Sequence, residues 1–221
     1  SLFWVRYFDI QTTGSLDHEK ILQWSGLRHD MNIFDINLRS VEKRLLRHPE
    51  INSTSVRRIM PNRVSIFVSE RHAFLQVSPR KDSKEVLTVD EEGYVIPSSG
   101  REAVSYLPLI VLPELVQDSL AIGHRVESVK FLEIKRFVHE VTTSGLLRFS
   151  EISHVDRTDD GTFEIYLSSG LKIFVQSQFR EQLLKLVHFK DVLRSAETDI
   201  EYIDLRFSDV AIKRKPDKHK K

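Results

Sequence analysis

The sequence predicts an α+β protein in two parts: a small β-α-α-β-β module at the N terminus, then a larger, mostly antiparallel β domain with two packing helices. Three observations carry that reading. Residues Ile51 to Arg71 form a clear hairpin, in which Val64, Ile66 and Val68 alternate with Ser65, Phe67 and Ser69 after a Met60-Pro61-Asn62-Arg63 turn. Two short stretches of helical spacing precede it. Beyond Arg71, β-branched and aromatic runs recur between Gly, Asp and Ser turn signals, interrupted twice by longer helical stripes.

Leu2 to Phe8 reads as an opening strand that continues through Ile10 to a stop at Gly14. Asp17 then supplies an N-cap, and Leu16 and Ile21 stand at the spacing of a hydrophobic staple. Ile21, Leu22 and Trp24 thus line a short helix ending at Ser25-Gly26. Asn37 caps a second helix, with Leu38, Val41 and Leu45 at helical spacing. His48-Pro49 ends it, because the residue before proline is pushed out of the α region. Three strands with both helices on one face is the layering that buries these stripes.

Leu87 to Ile96 reads as strand, acidic-glycine turn and strand, with Gly93 supplying the positive φ of a tight reversal. Asp90, Glu91 and Glu92 are expected to point different ways into solvent, and no second ligand cluster is spaced to meet them. Leu107 to Pro113 is a short buried strand bracketed by prolines. A helix over about residues 124–144 places Val126, Phe131, Ile134, Val138 and Val141 near one stripe. Ile152 to Val155, Phe163 to Leu167 and Leu171 to Val175 form a meander turned at Asp159-Asp160-Gly161 and Ser168-Ser169-Gly170. A further helix runs from about Gln178 to Ser195, with Phe179, Leu183, Leu186, Val187 and Leu193 inward. Glu201 to Phe207 is the last strand, continued by Val210-Ala211-Ile212. The domains that result are 1–71, 72–212 and a basic, disordered tail over 213–221.

With 221 residues the chain has room for two domains. The absence of cysteine excludes disulfides, thiolate metal sites and a cysteine nucleophile. No apolar run approaches the roughly 18 to 20 residues needed to span a bilayer. Because it opens in strand-like sequence with neither initiator methionine nor signal peptide, the chain reads as a soluble part excised from something longer. Net charge is +1, yet residues 213–221 hold six of the 33 basic residues and one of the 32 acidic ones. The body is left at −4, which is no platform for nucleic acid.

Nothing in the spacing suggests catalysis. There is no G-x-S-x-G elbow and no glycine-rich phosphate loop. None of the nine histidines forms the i,i+4 pair of a helical metal site, and His29 beside Asp30 and His154 near Asp156 read as surface ion pairs. No cofactor, metal or enzymatic activity is expected. The thirteen phenylalanines lack the basic interleaving of a base-stacking platform.

These residues carry a resemblance. The β-α-α-β-β order, with Asn32-Ile33-Phe34-Asp35-Ile36-Asn37, His48-Pro49-Glu50-Ile51, Ser55-Val56-Arg57-Arg58, Pro61 and Val68-Ser69-Glu70-Arg71, resembles the POTRA domain of the FtsQ/DivIB family of bacterial cell-division proteins. Asp90 to Gly93, Leu107-Pro108 and Asp204-Leu205-Arg206 are similar, in the same order, to that family's β domain. The resemblance implies a non-catalytic scaffold, single-pass in the cytoplasmic membrane, with this part extracytoplasmic at the division septum. It would bind FtsB-like and FtsL-like partners and other divisome proteins, linking recruitment to septal wall synthesis.

By the same resemblance the partner site comprises Tyr202, Asp204, Arg206, Phe207 and Ala211, and Val56 and Arg58 match a recruitment surface. A strand near the chain end is expected at a sheet edge, where a partner segment can add as a further strand. Arg206 would pair with a partner carboxylate, and Arg206→Glu is expected to weaken binding without touching the fold. Phe207 is a partner anchor or a core residue, and Val56 could equally be core. Ser208-Asp209-Val210 stands where the family has a glycine-containing stretch. Two rival classes stand beside this one. A POTRA chaperone module of an outer-membrane assembly factor would want further POTRA units or long barrel strands, which the second half lacks. A hydrolase would need a nucleophile and base that no spacing predicts.

Overall fold

In the computed structural model, residues 2–80, 86–97, 107–112, 121–145, 147–148, 151–176, 179–189, 191 and 199–216 are described. The chain divides into two units, Ser1–His72 and Ala73–Lys221.

The first unit contains β1 (Tyr7–Thr12), α1 (His18–Ser25), α2 (Leu38–Leu45), β2 (Ile51–Ile59) and β3 (Arg63–Glu70). Its sheet has the order β1-β3-β2, with β1 parallel and β2 antiparallel to β3. The opening strand starts at Tyr7 and not at Leu2, because Trp4 instead forms an isolated bridge to Asn32. Both caps form as their chemistry demands. Asp17 accepts from Glu19 N at 2.9 Å, Asn37 accepts from Ser40 N at 3.1 Å, and Gly26 closes α1 with a left-handed φ of 67°. Ile21, Val41 and Leu45 from the helices share one core with Val56, Val64, Ile66 and Val68.

Glu70, at the end of β3, fixes the loop that follows β1. Its carboxylate accepts from the Thr12 hydroxyl, from Ser15 N at 3.1 Å and from Leu16 N at 2.8 Å. Burial works to raise its pKa, but the hydrogen bonds from Thr12, Leu16, Ser15 and Gly14 outweigh burial and hold it below the usual range. Glu70→Gln should therefore destabilise the first unit by about 1–2 kcal/mol. A lowered folded pKa means that the carboxylate's contribution is complete above the ordinary glutamate range and is lost as pH falls through the lowered value. Urea melts of both proteins at pH 7 and pH 3 check this: the gap between them should narrow in acid.

In the second unit the elements are β4 (Leu75–Ser78), β5 (Leu87–Val89), β6 (Val95–Ile96), β7 (Leu109–Val111), α3 (Val129–Thr143), β8 (Ile152–Arg157), β9 (Thr162–Leu167), β10 (Lys172–Gln176), α4 (Phe179–Val187), β11 (Ile200–Asp204) and β12 (Ala211–Arg214). The strands form one sheet in the order β12-β11-β10-β9-β8-β7-β4-β5-β6. Pairing is mostly antiparallel; β4 with β7, β7 with β8 and β10 with β11 are parallel. The last two of these need crossovers, which α3 and α4 provide. Phe137 of α3 stacks on Phe163 of β9 at 5.2 Å and meets Phe179 of α4 edge-on at 4.9 Å, so both helices cover the same sheet face.

α3 starts at Val129, not near residue 124, because Ser128 caps it by accepting from Phe131 N at 3.2 Å. Val126 is buried all the same, ahead of the helix. Val187 of α4 is half exposed, while Leu193, Pro113 and the Leu183 side chain lie outside the described residues. Asp90 does not point into solvent: it is buried and accepts from Tyr94 N at 2.8 Å, which shapes the turn where Gly93 has φ 90°. His154 is also buried, its ring stacked on Tyr166, and is no surface residue. β4, a strand of only four residues ending at Ser78-Pro79, has no counterpart among the expected strands, yet it sits between β7 and β5. At the other end of the sheet the chain reverses after Asp204, so Val210 to Ile212 do not continue the same strand. Lys213 and Arg214 belong to β12, not to a tail, and pair with Glu201 at 3.1 Å and Asp199 at 3.0 Å.

Candidate functional site

The two borders of the nine-stranded sheet are finished differently. β6 is covered: Val95 N donates to His124 O at 2.8 Å, and Gly123 N donates to Val95 O at 2.7 Å. β12 has only β11 beside it among the described residues, and Ala211, Ile212, Lys213 and Arg214 are all exposed. Lys215 N donates to Asp199 O at 2.6 Å, toward β11. Alternation along an antiparallel ladder then turns Lys213 N and Ala211 N the same way and directs Ile212 N and Arg214 N outward. An outward row of this kind is a template for another strand.

The turn that presents β12 is clamped by Asp204-Leu205-Arg206. Arg206 grips Asp204 with both arms of its guanidinium, Nε to Oδ1 at 2.9 Å and Nη2 to Oδ2 at 2.7 Å, and its backbone N donates to Oδ1 at 3.1 Å. These hydrogen bonds from Arg206 hold the Asp204 carboxyl below its usual range against the opposing effect of burial. Between the two, Leu205 is fully buried and donates its N–H to Phe174 O at 2.9 Å. On the far side of the turn, Lys185 Nζ of α4 donates to Phe207 O at 2.8 Å and to Ser208 O at 2.9 Å.

Arg206 spends its Nε and Nη2 on Asp204 while part of its side chain stays exposed, and Arg206→Glu would set a carboxylate against a buried one. The expectation that this change spares the fold is therefore replaced by an expected loss of stability. Phe207 is 61% exposed and is not core, with the Arg206 guanidinium 5.6 Å from its ring. Tyr202 and Asp204 lie on β11, an interior strand, and Ala211 opens the edge strand. Val56 is core, and Arg58 donates Nε to Ile33 O at 2.7 Å and Nη2 to Ile36 O, so it braces the loop before α2. Ile212, Lys213 and Arg214 were not among the expected site residues, yet they form the free edge strand with Ala211. Ser208-Asp209, a turn signal between two strand-like runs, was the clue to them.

The sheet face away from the helices carries two rows that end at this edge. In register, His154, Tyr166, Lys172, Tyr202 and Lys213 succeed one another from β8 to β12. The His154 and Tyr166 rings stack at 3.9 Å, Lys172 Nζ sits 5.3 Å from the Tyr166 ring, and Lys213 Nζ sits 5.6 Å from that of Tyr202. Tyr166 donates to Glu164 at 2.8 Å, and burial, then that hydrogen bond, pushes its pKa up to about 12, so it keeps its proton at any physiological pH. The neighbouring row runs Asp156, Glu164, Phe174, Asp204 and Ala211. On the helix side, Ile212, Leu184 and Val187 are exposed at 42%, 66% and 50%. Among the described residues no three His, Asp or Glu are grouped to hold a metal, and no helix is long and apolar enough to cross a membrane.

Two family models match the sequence. The FtsQ-type POTRA domain covers residues 3–71, and the C-terminal domain of cell division protein FtsQ/DivIB covers residues 80–206. The second match stops at Arg206, so β12 lies beyond it. Cell division protein DivIB of Clostridium tetani is 30% identical over 94 residues, which is 42% of this chain and 34% of that protein. DivIB of Geobacillus kaustophilus is 30% identical over 108 residues, 48% of this chain and 40% of the relative. Cell division protein FtsQ of Geotalea daltonii is 20% identical over 219 residues, covering 97% of this chain and 77% of its own. The chain thus matches less than half the length of these DivIB relatives.

Proposed function

The chain belongs to the FtsQ/DivIB family of cell-division proteins, and from that premise we propose that it is a non-catalytic scaffold that captures an extended segment of an FtsB-like or FtsL-like partner as an added strand on β12. The observation that carries this is the exposed edge of β12 with Ile212 N and Arg214 N directed outward. Main-chain hydrogen bonds along that edge supply most of the affinity, and side chains set the register. Lys213 ends one row of the sheet face and Ala211 the other, so the incoming strand places a carboxylate or a ring beside Lys213 and a bulky apolar residue beside Ala211. Tyr202 and Phe207 flank the same edge. In the whole protein an upstream span anchors this extracytoplasmic part to the cytoplasmic membrane at the septum, where it links recruitment to septal wall synthesis.

Calorimetric titration of the chain with the extracytoplasmic segments of the host's FtsB-like and FtsL-like proteins tests the reading. Saturable binding is expected, weakened about fivefold by Lys213→Glu, the effect of one partly exposed charge contact. No heat from correctly assembled segments would contradict it.

A further inference from the structure

The first unit carries a second surface, built from other residues than the β12 edge. Leu2, Phe3, Trp4 and Phe34 are exposed at 64%, 38%, 42% and 58%. They form one patch: Ile33 N donates to Phe3 O at 2.9 Å, Trp4 bridges to Asn32, and the Phe3 and Phe34 rings lie 5.3 Å apart. Beside Phe34 a cleft of about 470 Å³ opens, with Arg39 and Arg58 in its wall against one carboxylate, Asp35. The Arg58 hydrogen bonds to Ile33 O and Ile36 O fix the loop carrying Phe34 and keep a cation next to that ring.

Charge is distributed to match. Residues 1–72 contain eleven lysines and arginines against eight aspartates and glutamates, a net of +3, whereas residues 73–221 contain 22 against 24, a net of −2.

We propose that this patch inserts into the headgroup layer of an anionic lipid bilayer. Aromatic rings and a leucine beside the exposed Arg39 suit a lipid-water boundary, where the rings bury their apolar bodies and the Arg39 guanidinium reaches phosphates, while Arg58 holds the loop in place. Size argues against a second copy of the chain as the occupant. Four side chains about half exposed offer roughly 400 Å², short of the roughly 800 Å² per partner of a stable protein interface.

The chain has two tryptophans, Trp4 in the patch and Trp24 stacked on His48. Trp24→Phe therefore makes Trp4 the sole tryptophan reporter. Its emission should move to shorter wavelength on adding vesicles of equal parts phosphatidylglycerol and phosphatidylcholine, and not with phosphatidylcholine alone. Reversing Arg39 to glutamate should weaken partitioning by about tenfold, and raised salt should do the same. Phe3→Ser with Phe34→Ser should abolish it, with unchanged circular dichroism showing that the unit stays folded. Absence of a shift with the mixed vesicles would overturn the proposal, as would a shift indifferent to lipid charge and to Arg39→Glu. A shift that grows with protein concentration without vesicles would overturn it in favour of self-association.

Discussion

Ile212→Pro is expected to weaken capture of a partner strand severely while leaving the thermal midpoint of the chain essentially unchanged. Ile212 lies in the middle of β12 with its N–H directed away from β11, so proline there removes no hydrogen bond within the sheet. It does remove a donor from the free edge and sets a ring where the incoming strand must approach. One lost hydrogen bond with its unpaired partner carbonyl, plus the steric clash, should weaken binding at least about tenfold to 100-fold. Lys213→Pro is the control. Its N–H faces β11, so the same residue one position along should unpair the hairpin and cost stability as well as binding. Titration and thermal circular dichroism on both variants separate the two effects.

The second large effect falls on the clamp. Asp204→Ala should destabilise the second unit by about 2–3 kcal/mol, less than the cost of splitting a fully buried pair because Arg206 keeps 29% of its side chain exposed. Arg206→Glu should cost at least as much, since it replaces the pairing cation by a like charge. Asp204 has a lowered folded pKa, held down chiefly by Arg206. Its contribution is accordingly complete above the ordinary aspartate range and disappears as pH falls through the lowered value. Denaturant melts across that range should show parent and Asp204→Ala converging in acid. With the clamp gone, β12 is no longer held beside β11 at its turn, so partner binding should fall together with stability.

Much of the first unit was legible because its signals are local. The caps at Asp17 and Asn37, the glycine at Gly26 and the alternation over Val64 to Val68 each depend on residues within a few positions of one another. The meander over β8, β9 and β10 was legible for the same reason. What escaped depends on distant partners. β4 is four residues long and is made a strand by β7, over thirty residues later in the chain, and by β5. Asp90 looked like one of three solvated carboxylates, and only the close approach of Tyr94 N turns it inward.

The candidate site shows the same division. A last strand near the chain end could be read from its run of apolar and β-branched residues, but it was expected over Glu201 to Phe207 and ends at Asp204. Whether Arg206 reached out or back could not be read, since Asp204 two residues away and an unknown partner offer the same carboxylate chemistry. The reversal at Ser208-Asp209 moves the free edge from β11 to β12, so the residues with outward N–H groups are Ile212 and Arg214 and not those of the Asp-Leu-Arg motif.

Amide hydrogen exchange across residues 199–216, with and without the partner's extracytoplasmic segment, tests the added strand most directly. Ile212 and Arg214 are expected to exchange readily in the free chain and to become strongly protected in the complex, while Lys213 and Lys215, already bonded toward β11, change little. Tight binding that leaves the Ile212 and Arg214 amides as fast as in the free chain would contradict strand addition on β12.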